Sequence, residues 1–386
     1  MHGHKKRVPG NAFFIGKKDG AQHLAGPMRP ADAHKAPFAL QPALKSGLKA
    51  GLKIIDKASI VAQNKKLCVL HGTPIFNQGA CRCCDNNFDI ITYGYSMSSF
   101  TTFPIAIVGA ACRLPGRLRS LDSLWTILAE GKDAVSEEPA SRWETSSYVH
   151  PRRDMPGHTV SARAGIVEDI YHFDPTFFGI SRTEADSMDP QQRLLLELAW
   201  ETLEDAGIPP STLSGSDTAV FVGAASPDSG TSHADDICAT TPYSMTGTNL
   251  SIISNRISYI FNFHGPSMTI DTACSSAMHA LHQACLELAS GGAGMALAGG
   301  VNALLAPYPF VGFSQAHMLS PDGRCKVFDA AGDGYVRSEG GGIVLLQPLK
   351  TALAQGRRIH AVIRGIGCNS DGRTQGIALP SAVAQE

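Results

Sequence analysis

Residues 265–292 read GPSMTIDTACSSAMHALHQACLELASGG, and their reading decides the fold. The first part, SMTID at 267–271, is apolar and β-branched over four or five residues, as a short strand is. From Ser275 onward, Met278, Leu281, Ala284, Cys285 and Leu288 recur at helical spacing, and Gly291 offers a stop. Cys274 therefore falls at the seam, at or just before the first turn of a helix expected to be buried. Unpaired N–H groups and the helix dipole at that place both favour a thiolate over a thiol. The small neighbours Ala273, Ser275 and Ser276 leave room for a substrate to approach the sulfur. The same tight turn can aim backbone N–H groups at an oxyanion. From the residues alone two readings stay open. Cys274 is a nucleophile for acyl transfer on a strand-to-helix corner, or it is one more small buried hydrophobe.

The flanking segments extend the pattern. TAVFVGAA (218–225) reads as a buried strand, and TGTNLSIISNRISYIFNFHG (246–265) as a helix ending near the turn at 262–265. Within residues 174–209, Asp189 before Pro190 is a helix start, a capping carboxylate followed by a residue that needs no N–H. Leu194, Leu195, Leu198, Leu203 and Ala206 form its apolar face, and Gly207 ends it. FPIAIVGAACRLPG (103–116) reads as a short buried strand that breaks at Gly109, with a closely packed turn. It contains no G-x-G-x-x-G, so dinucleotide binding has no support. SLDSLWTILAEGKD (120–133) follows as an amphipathic helix with Leu121, Leu124, Ile127 and Leu128 on one face and Gly131 as its stop. Strand, helix, strand, helix, strand in this order predicts an α/β fold, a central sheet with helices on both faces.

The 386 residues suffice for one large domain or two ordinary ones. With 43% hydrophobic and 17% charged residues, the composition is that of a chain with a sizeable core. A net charge of −1 gives no reason to expect nucleic acid or an anionic membrane as partner. No apolar run approaches the roughly 20 residues that span a bilayer, and the basic start MHGHKKRVPGNAFF lacks the apolar run of a secretory signal. Ten cysteines in such a length do not make a disulfide scaffold, which points to a reducing, cytoplasmic setting.

Charge divides the chain. Residues 1–96 hold 14 Lys and Arg against 5 Asp and no Glu, a balance of +9, whereas the remainder holds 19 against 29, a balance of −10. The first part is weakly patterned, with a faint helical period only at 43–63, and reads as a loosely folded segment or a gene-model extension. Its scarcity of acids fits a transit peptide, but Lys rather than Arg supplies the charge and Ser is rare. Met97 opens MSSFTTFPIAIVG as a domain start does. Cys68, His71, Cys81 and Cys84 have pairwise spacings a tetrahedral zinc could use, but the surroundings lack hairpin turn chemistry, and unrelated thiols are the simpler reading.

DTACSSA (271–277) resembles the active-site motif of the beta-ketoacyl synthases, in particular the ketosynthase domains of type I polyketide synthases. PIAIVGAACRLPG, FDPTFFGIS, MDPQQRLLLELAWETLEDAGI, GPSMTIDTACSSA, the long block from ALAGGVNALL to GGIVLLQPL, and IRGIGCNSDGRTQGIALPS resemble further blocks of that family, in its order, over about 104–386. The resemblance implies a thiolase-like fold, layered α-β-α-β-α, of which this chain covers mainly the N-terminal half and the start of the second. It implies that residues 97–386 are a ketosynthase domain that stops before the family's histidine blocks.

It also implies that Cys274 takes an acyl group from the phosphopantetheine arm of an acyl carrier protein. A malonyl-type extender is then decarboxylated and condensed, with acyltransferase and other synthase domains as partners, in a homodimer, with no metal and no directly bound cofactor. An inactive fragment or non-catalytic subunit is the alternative. The sequence departs from the family in several places. The family's two catalytic histidines lie in an HGT block and a GH block downstream of GIALPS, and neither occurs there in these 386 residues. His264, His279, His282, His317 and His360 do not stand at those positions, and HGT at 71–73 precedes the domain and lacks its context. GFSQA (312–316) resembles a hydrolase elbow only faintly, with Ala316 in place of the second glycine. Ala277 replaces a frequent third serine, and GISRTEA (179–185) lacks the usual proline. The glycines of 334–342 read as scaffold glycines. Starter and extender units are not legible.

Overall fold

The structure is a computed structural model that describes residues 58–63, 66–71, 103–136, 142–229 and 237–386. The chain divides into two units, Met1–Tyr95 and Ser96–Glu386. In the first, β1 (Ala58–Gln63) and β2 (Lys66–His71) pair antiparallel, with Gln63 opposite Lys66. This corrects one expectation. The end of the faint helical period is a strand, because adjacent Ile60 and Val61 favour extended backbone. Cys68 and His71 both lie on β2. Cys81, Cys83 and Cys84 lie outside the described residues.

The second unit is built on β3 (Ile105–Arg113), β4 (Val135–Ser136), β5 (Ala164–Gly165), β6 (Ala219–Gly223), β7 (Ser267–Ile270), β8 (Ala296–Asn302), β9 (Arg337–Ser338), β10 (Gly340–Pro348) and β11 (Ala361–Ile363). Six strands form one mixed sheet in the order β11-β3-β10-β8-β6-β7, and β4-β5-β9 form a small second sheet. The helices are α1 (Leu121–Glu130), α2 (Arg182–Ser187), α3 (Pro190–Asp205), α4 (Ser244–Thr248), α5 (Ser251–Phe261), α6 (Ser276–Ser290), α7 (Tyr308–Gln315), α8 (Leu349–Ala354) and α9 (Ala382–Gln385).

Alternation along the central strands sorts the core into two layers. Val220, Val222, Leu297 and Leu345 pack with Leu194, Leu195 and Leu198 of α3 and with Ile253 and Ile257 of α5. Ala219, Phe221, Ala296, Ala298 and Leu346 face the other way, onto Ala280, Ala284, Cys285 and Leu288 of α6. The sheet is thus a filling between helices, α-β-α. α3 starts where the sequence placed it. The Asp189 carboxylate accepts from the backbone N–H of Gln191, Pro190 takes the first helical position, and Gly207 follows the helix at φ +64°. The helix is buried over most of its length because both the sheet and α5 cover it.

Three sequence expectations for the elements are corrected. β3 does not break at Gly109 but runs nine residues through it, with a register irregularity opposite Leu345/Leu346. The glycine is there because α3 lies against the strand: a Cβ at 109 would stand 2.4 Å from the carbonyl oxygen of Thr202 and 2.8 Å from the Ala206 Cβ. The helix expected over 246–265 is two pieces. Asn249 is extended between α4 and α5, and Asn262 closes α5 in the left-handed region. α1 buries none of its residues, and Leu121 and Leu128 are exposed although the capping box of Ser120 with Ser123 and the Gly131 stop are both present. Local caps made that helix, and tertiary packing did not use its whole apolar face. Among the described residues no helix is long and apolar enough to cross a membrane.

Candidate active site

β7 ends at Ile270 and α6 begins at Ser276, and the five residues between turn the chain from sheet to helix. The turn contains one strained residue. Ala273 has φ +55°, in the left-handed region that costs a residue with a Cβ about 1–2 kcal/mol. Four groups hold it. The Asp271 carboxylate accepts from the N–H of Ala273 at 2.9 Å. The Ser276 hydroxyl accepts from the N–H of Thr272 at 2.9 Å and donates to the carbonyl of Ala273 at 2.6 Å. The Ser275 hydroxyl donates to the Thr272 carbonyl at 2.9 Å. The His279 ring, one turn down α6, places Nδ1 3.1 Å from Thr272 Oγ1 and 3.2 Å from the Ser275 carbonyl.

Cys274 sits on this turn and is exposed. The base of the turn is packed tightly. A Cβ at Gly223, the last residue of β6, would stand 2.3 Å from the backbone nitrogen of Ala277. The start of α6 therefore rests directly on the end of β6. Ala277, in place of the frequent serine, is the residue at that contact. The second cysteine of the stretch, Cys285, faces the sheet with the Ala280, Ala284 and Leu288 side chains, and burial pushes its thiol up to about 11. One helix thus carries a buried, inert thiol and begins beside an exposed one. Met278, expected on the buried face, is 57% exposed: it lies on the side of α6 turned away from the sheet.

A second group of residues approaches Cys274 from the segment before β9. Tyr335 lies close enough to Cys274 for their charges to interact. Burial pushes its phenol up, the neighbouring Arg337 guanidinium opposes that, and Cys274 adds to it. Arg337 is buried over the rings of Phe310 (4.7 Å) and Phe313 (5.3 Å), and burial pulls its guanidinium down from the usual arginine range. The Leu319–Tyr335 bridge and Lys326, ion-paired at 2.9 Å and 2.8 Å with Asp322 and Asp333, tie down the intervening loop. Behind it, Arg142 and Glu339 are paired with only 2% and 0% of their side chains exposed. Glu339 also accepts from the N–H groups of Val167 and Leu304.

The histidines are scattered. His264 is 3.1 Å from Asn262 at the end of α5, and His360 is paired with Asp205 at 2.7 Å, where β11 begins beside α3. His282 follows His279 on α6, and burial, then His279, pulls its imidazole below the ordinary value. His317 closes the turn after α7 at φ +57°. Of these five, His279 hydrogen-bonds within the Cys274 turn. Sequence reasoning singled out Cys274 and the small residues around it, set His279 aside as a surface or packing residue, and did not single out Asp271, Thr272 or Tyr335. Three of these four are polar residues within five positions of the cysteine. That proximity was the available signal, but only the left-handed Ala273 folds them toward one another. A separate cleft of about 490 Å³, lined by Arg113, Arg117, Arg119, Glu168, Asp169 and His172 among others, includes no residue of the Cys274 turn.

An α-β-α sandwich with a cysteine on a strained corner between β7 and α6 places the chain among the thiolase-like α/β proteins. It belongs to the beta-ketoacyl synthase family: residues 102–352 match the beta-ketoacyl synthase N-terminal domain. It is 49% identical over 282 residues to the mycocerosic acid synthase-like polyketide synthase of Mycolicibacterium smegmatis, matching 73% of this chain and 13% of that relative. It is 46% identical over 284 residues to the polyketide synthase-nonribosomal peptide synthetase hybrid himA of Aspergillus japonicus, 73% of this chain and 7% of that one. Among solved structures, the oxazolomycin ketosynthase domain of Streptomyces albus JA3453 superposes with TM-score 0.70 at 39% identity, covering 73% of this chain and 50% of that one. The ketosynthase from module 6 of the bacillaene synthase of Bacillus subtilis 168 gives 0.66 at 37%, covering 73% and 47%. The chain thus spans about half of the solved ketosynthase chains and a small part of the synthases.

Proposed function

We propose that this chain is the N-terminal part of a polyketide-synthase ketosynthase and that Cys274 is its acyl acceptor. The observation that carries the reading is the exposed Cys274 on a strained turn between β7 and α6, in a chain of this family. The Cys274 thiolate attacks the acyl thioester on the phosphopantetheine arm of an acyl carrier protein. The carbon–sulfur bond to the arm breaks, the arm leaves as a thiolate that takes up a proton from water, and the acyl group becomes a thioester of Cys274. In the complete synthase a malonyl-type extender on a carrier protein then loses carbon dioxide. Its enolate attacks the acyl carbonyl, Cys274 leaves, and a 3-oxoacyl thioester two carbons longer remains on the carrier. The partners are carrier, acyltransferase and further synthase domains, with no resident cofactor and a cytoplasmic setting. A second copy of the chain is a further partner: β7 is at one edge of the described sheet, where another strand can add.

Decarboxylation calls for donors that stabilise the enolate. The family's histidine blocks do not occur after GIALPS in these 386 residues, so the polypeptide by itself is inferred to accept an acyl group at most and not to condense. Incubation with an acyl-carrier protein, followed by peptide mass spectrometry, tests this reading. The acyl mass is expected on the Cys274 peptide and is expected to vanish in Cys274→Ala. Acylation elsewhere, or undiminished in that variant, overturns the assignment. Addition of malonyl-carrier protein is expected to give no 3-oxoacyl product from the 386-residue chain alone.

A further inference from the structure

The bonds that hold the Cys274 turn are of two kinds. Those of Asp271, Ser275 and Ser276 join residues within 271–276, so they travel with the turn itself. His279 is different, because it stands on α6 itself, next to Ala280, which is packed on the sheet. We propose that His279 is a positioning residue for Cys274, an inference that rests on Cys274 being the acyl acceptor. The carbonyl of Ser275 can only accept, so the 3.2 Å contact is a hydrogen bond in the tautomer that carries its proton on Nδ1. From there the ring also reaches Thr272 Oγ1, at 3.1 Å. One nitrogen thus spans the two residues flanking the Ala273–Cys274 pair, one before the left-handed Ala273 and one after the cysteine. It connects the strained corner to the rigid part of the helix. Loosening that connection lets Ala273 relax out of the left-handed region, and the sulfur leaves its place just before the start of α6. His279 touches no reacting atom in this scheme. Its contribution is to hold the direction in which Cys274 points.

The measurement is the rate of modification of individual cysteines in the full 386-residue chain, by iodoacetamide and then by an acyl-carrier protein, read by peptide mass spectrometry. Cys368, exposed and far along the chain, is the reference, and the buried Cys285 reports opening of the fold. In the wild type, Cys274 is expected to react at least several-fold faster than Cys368. If it does not, the proposed function fails, whatever His279 does. Given that difference, His279→Ala is expected to slow Cys274 about five-fold or more while Cys368 and Cys285 stay as they were. His279→Asn places an amide N–H near the position of Nδ1 and is expected to recover at least half of the lost rate, a rescue that a simple packing role would not show. An Ala variant with Cys274 at the wild-type rate overturns the inference, and so does an Asn variant as slow as Ala. If the Ala variant exposes Cys285, the Asn variant decides alone: a rate at least half that of the wild type supports the inference, and a lower one overturns it.

Discussion

At the scale of single residues, one helix beginning beside one cysteine and containing another makes a controlled comparison. Cys274 is exposed on the corner, whereas Cys285 is buried against the sheet, with its thiol pushed up to about 11 from an ordinary value of 9.0. Iodoacetamide at pH 8 is expected to leave Cys285 unmodified in the folded chain, and labelling of it there would show that α6 is not packed as described. The same shift has a stability consequence. A thiol raised in the folded state is stabilising below its unfolded value, and that contribution is lost as pH rises from about 9 to about 11. Gly223 makes the second case at this scale. Because its missing Cβ is replaced by the backbone of Ala277, Gly223→Ala forces α6 off β6. A loss of about 2–3 kcal/mol or more in urea unfolding is expected, with Cys274 labelling slowed as well.

At the scale of elements, α3 shows what a sequence signal can fix. Asp189 and Pro190 start it as predicted, and burial rather than exposure decides the energetics of the cap. Burial pushes the Asp189 carboxyl up, and the N–H of Gln191 pulls it back down in part. Asp189→Ala removes the cap and is expected to cost about 1–2 kcal/mol. Asp189→Asn keeps an acceptor oxygen without the buried charge and is expected to recover most of that loss. A raised folded-state pKa means that the contribution of Asp189 is present at low pH and lost as pH rises through it. The stability difference between Asn and Asp should therefore move in favour of Asn as pH rises above the ordinary carboxyl value of 3.8; movement the other way, in paired urea titrations, would contradict the assigned burial. The neighbouring elements show the limits of the same signals. Ser120 and Gly131 delimit α1, yet no sequence feature tells that its Leu128 stays in solvent. Gly109 marks a close approach and not a break, because it is crossed by α3 and not followed by a turn.

At the scale of the molecule, the buried Arg142–Glu339 pair joins segments nearly two hundred residues apart and satisfies backbone groups at Val167 and Leu304. Removing one member leaves the other charged and unpaired. Glu339→Gln and Arg142→Met are each expected to cost about 3–5 kcal/mol in urea unfolding, far more than the exposed Arg152–Asp154 pair. A loss under about 1 kcal/mol would mean that the pair is hydrated in solution. The pair lies beside β9, next to the loop that brings Tyr335 toward Cys274, so a partial loss of Cys274 labelling is expected to accompany the loss of stability.

The sequence by itself determined the α/β class, the family, the caps of α3 and the cysteine on the corner. Each of these is a local or near-local pattern: period 2 against 3.6, a capping carboxylate before proline, a motif around one thiol. The left-handed Ala273, the contact of His279 with Thr272 and the approach of Tyr335 were decided only by the tertiary structure. So were the solvent-facing side of α1, the continuity of β3 through Gly109 and the burial of the Arg142–Glu339 pair. The physical reason is the same in each case. These depend on which surface covers a residue, on groups brought together from distant positions, or on how a turn folds residues a few positions apart toward one another, and a pattern along the chain carries neither distance nor cover.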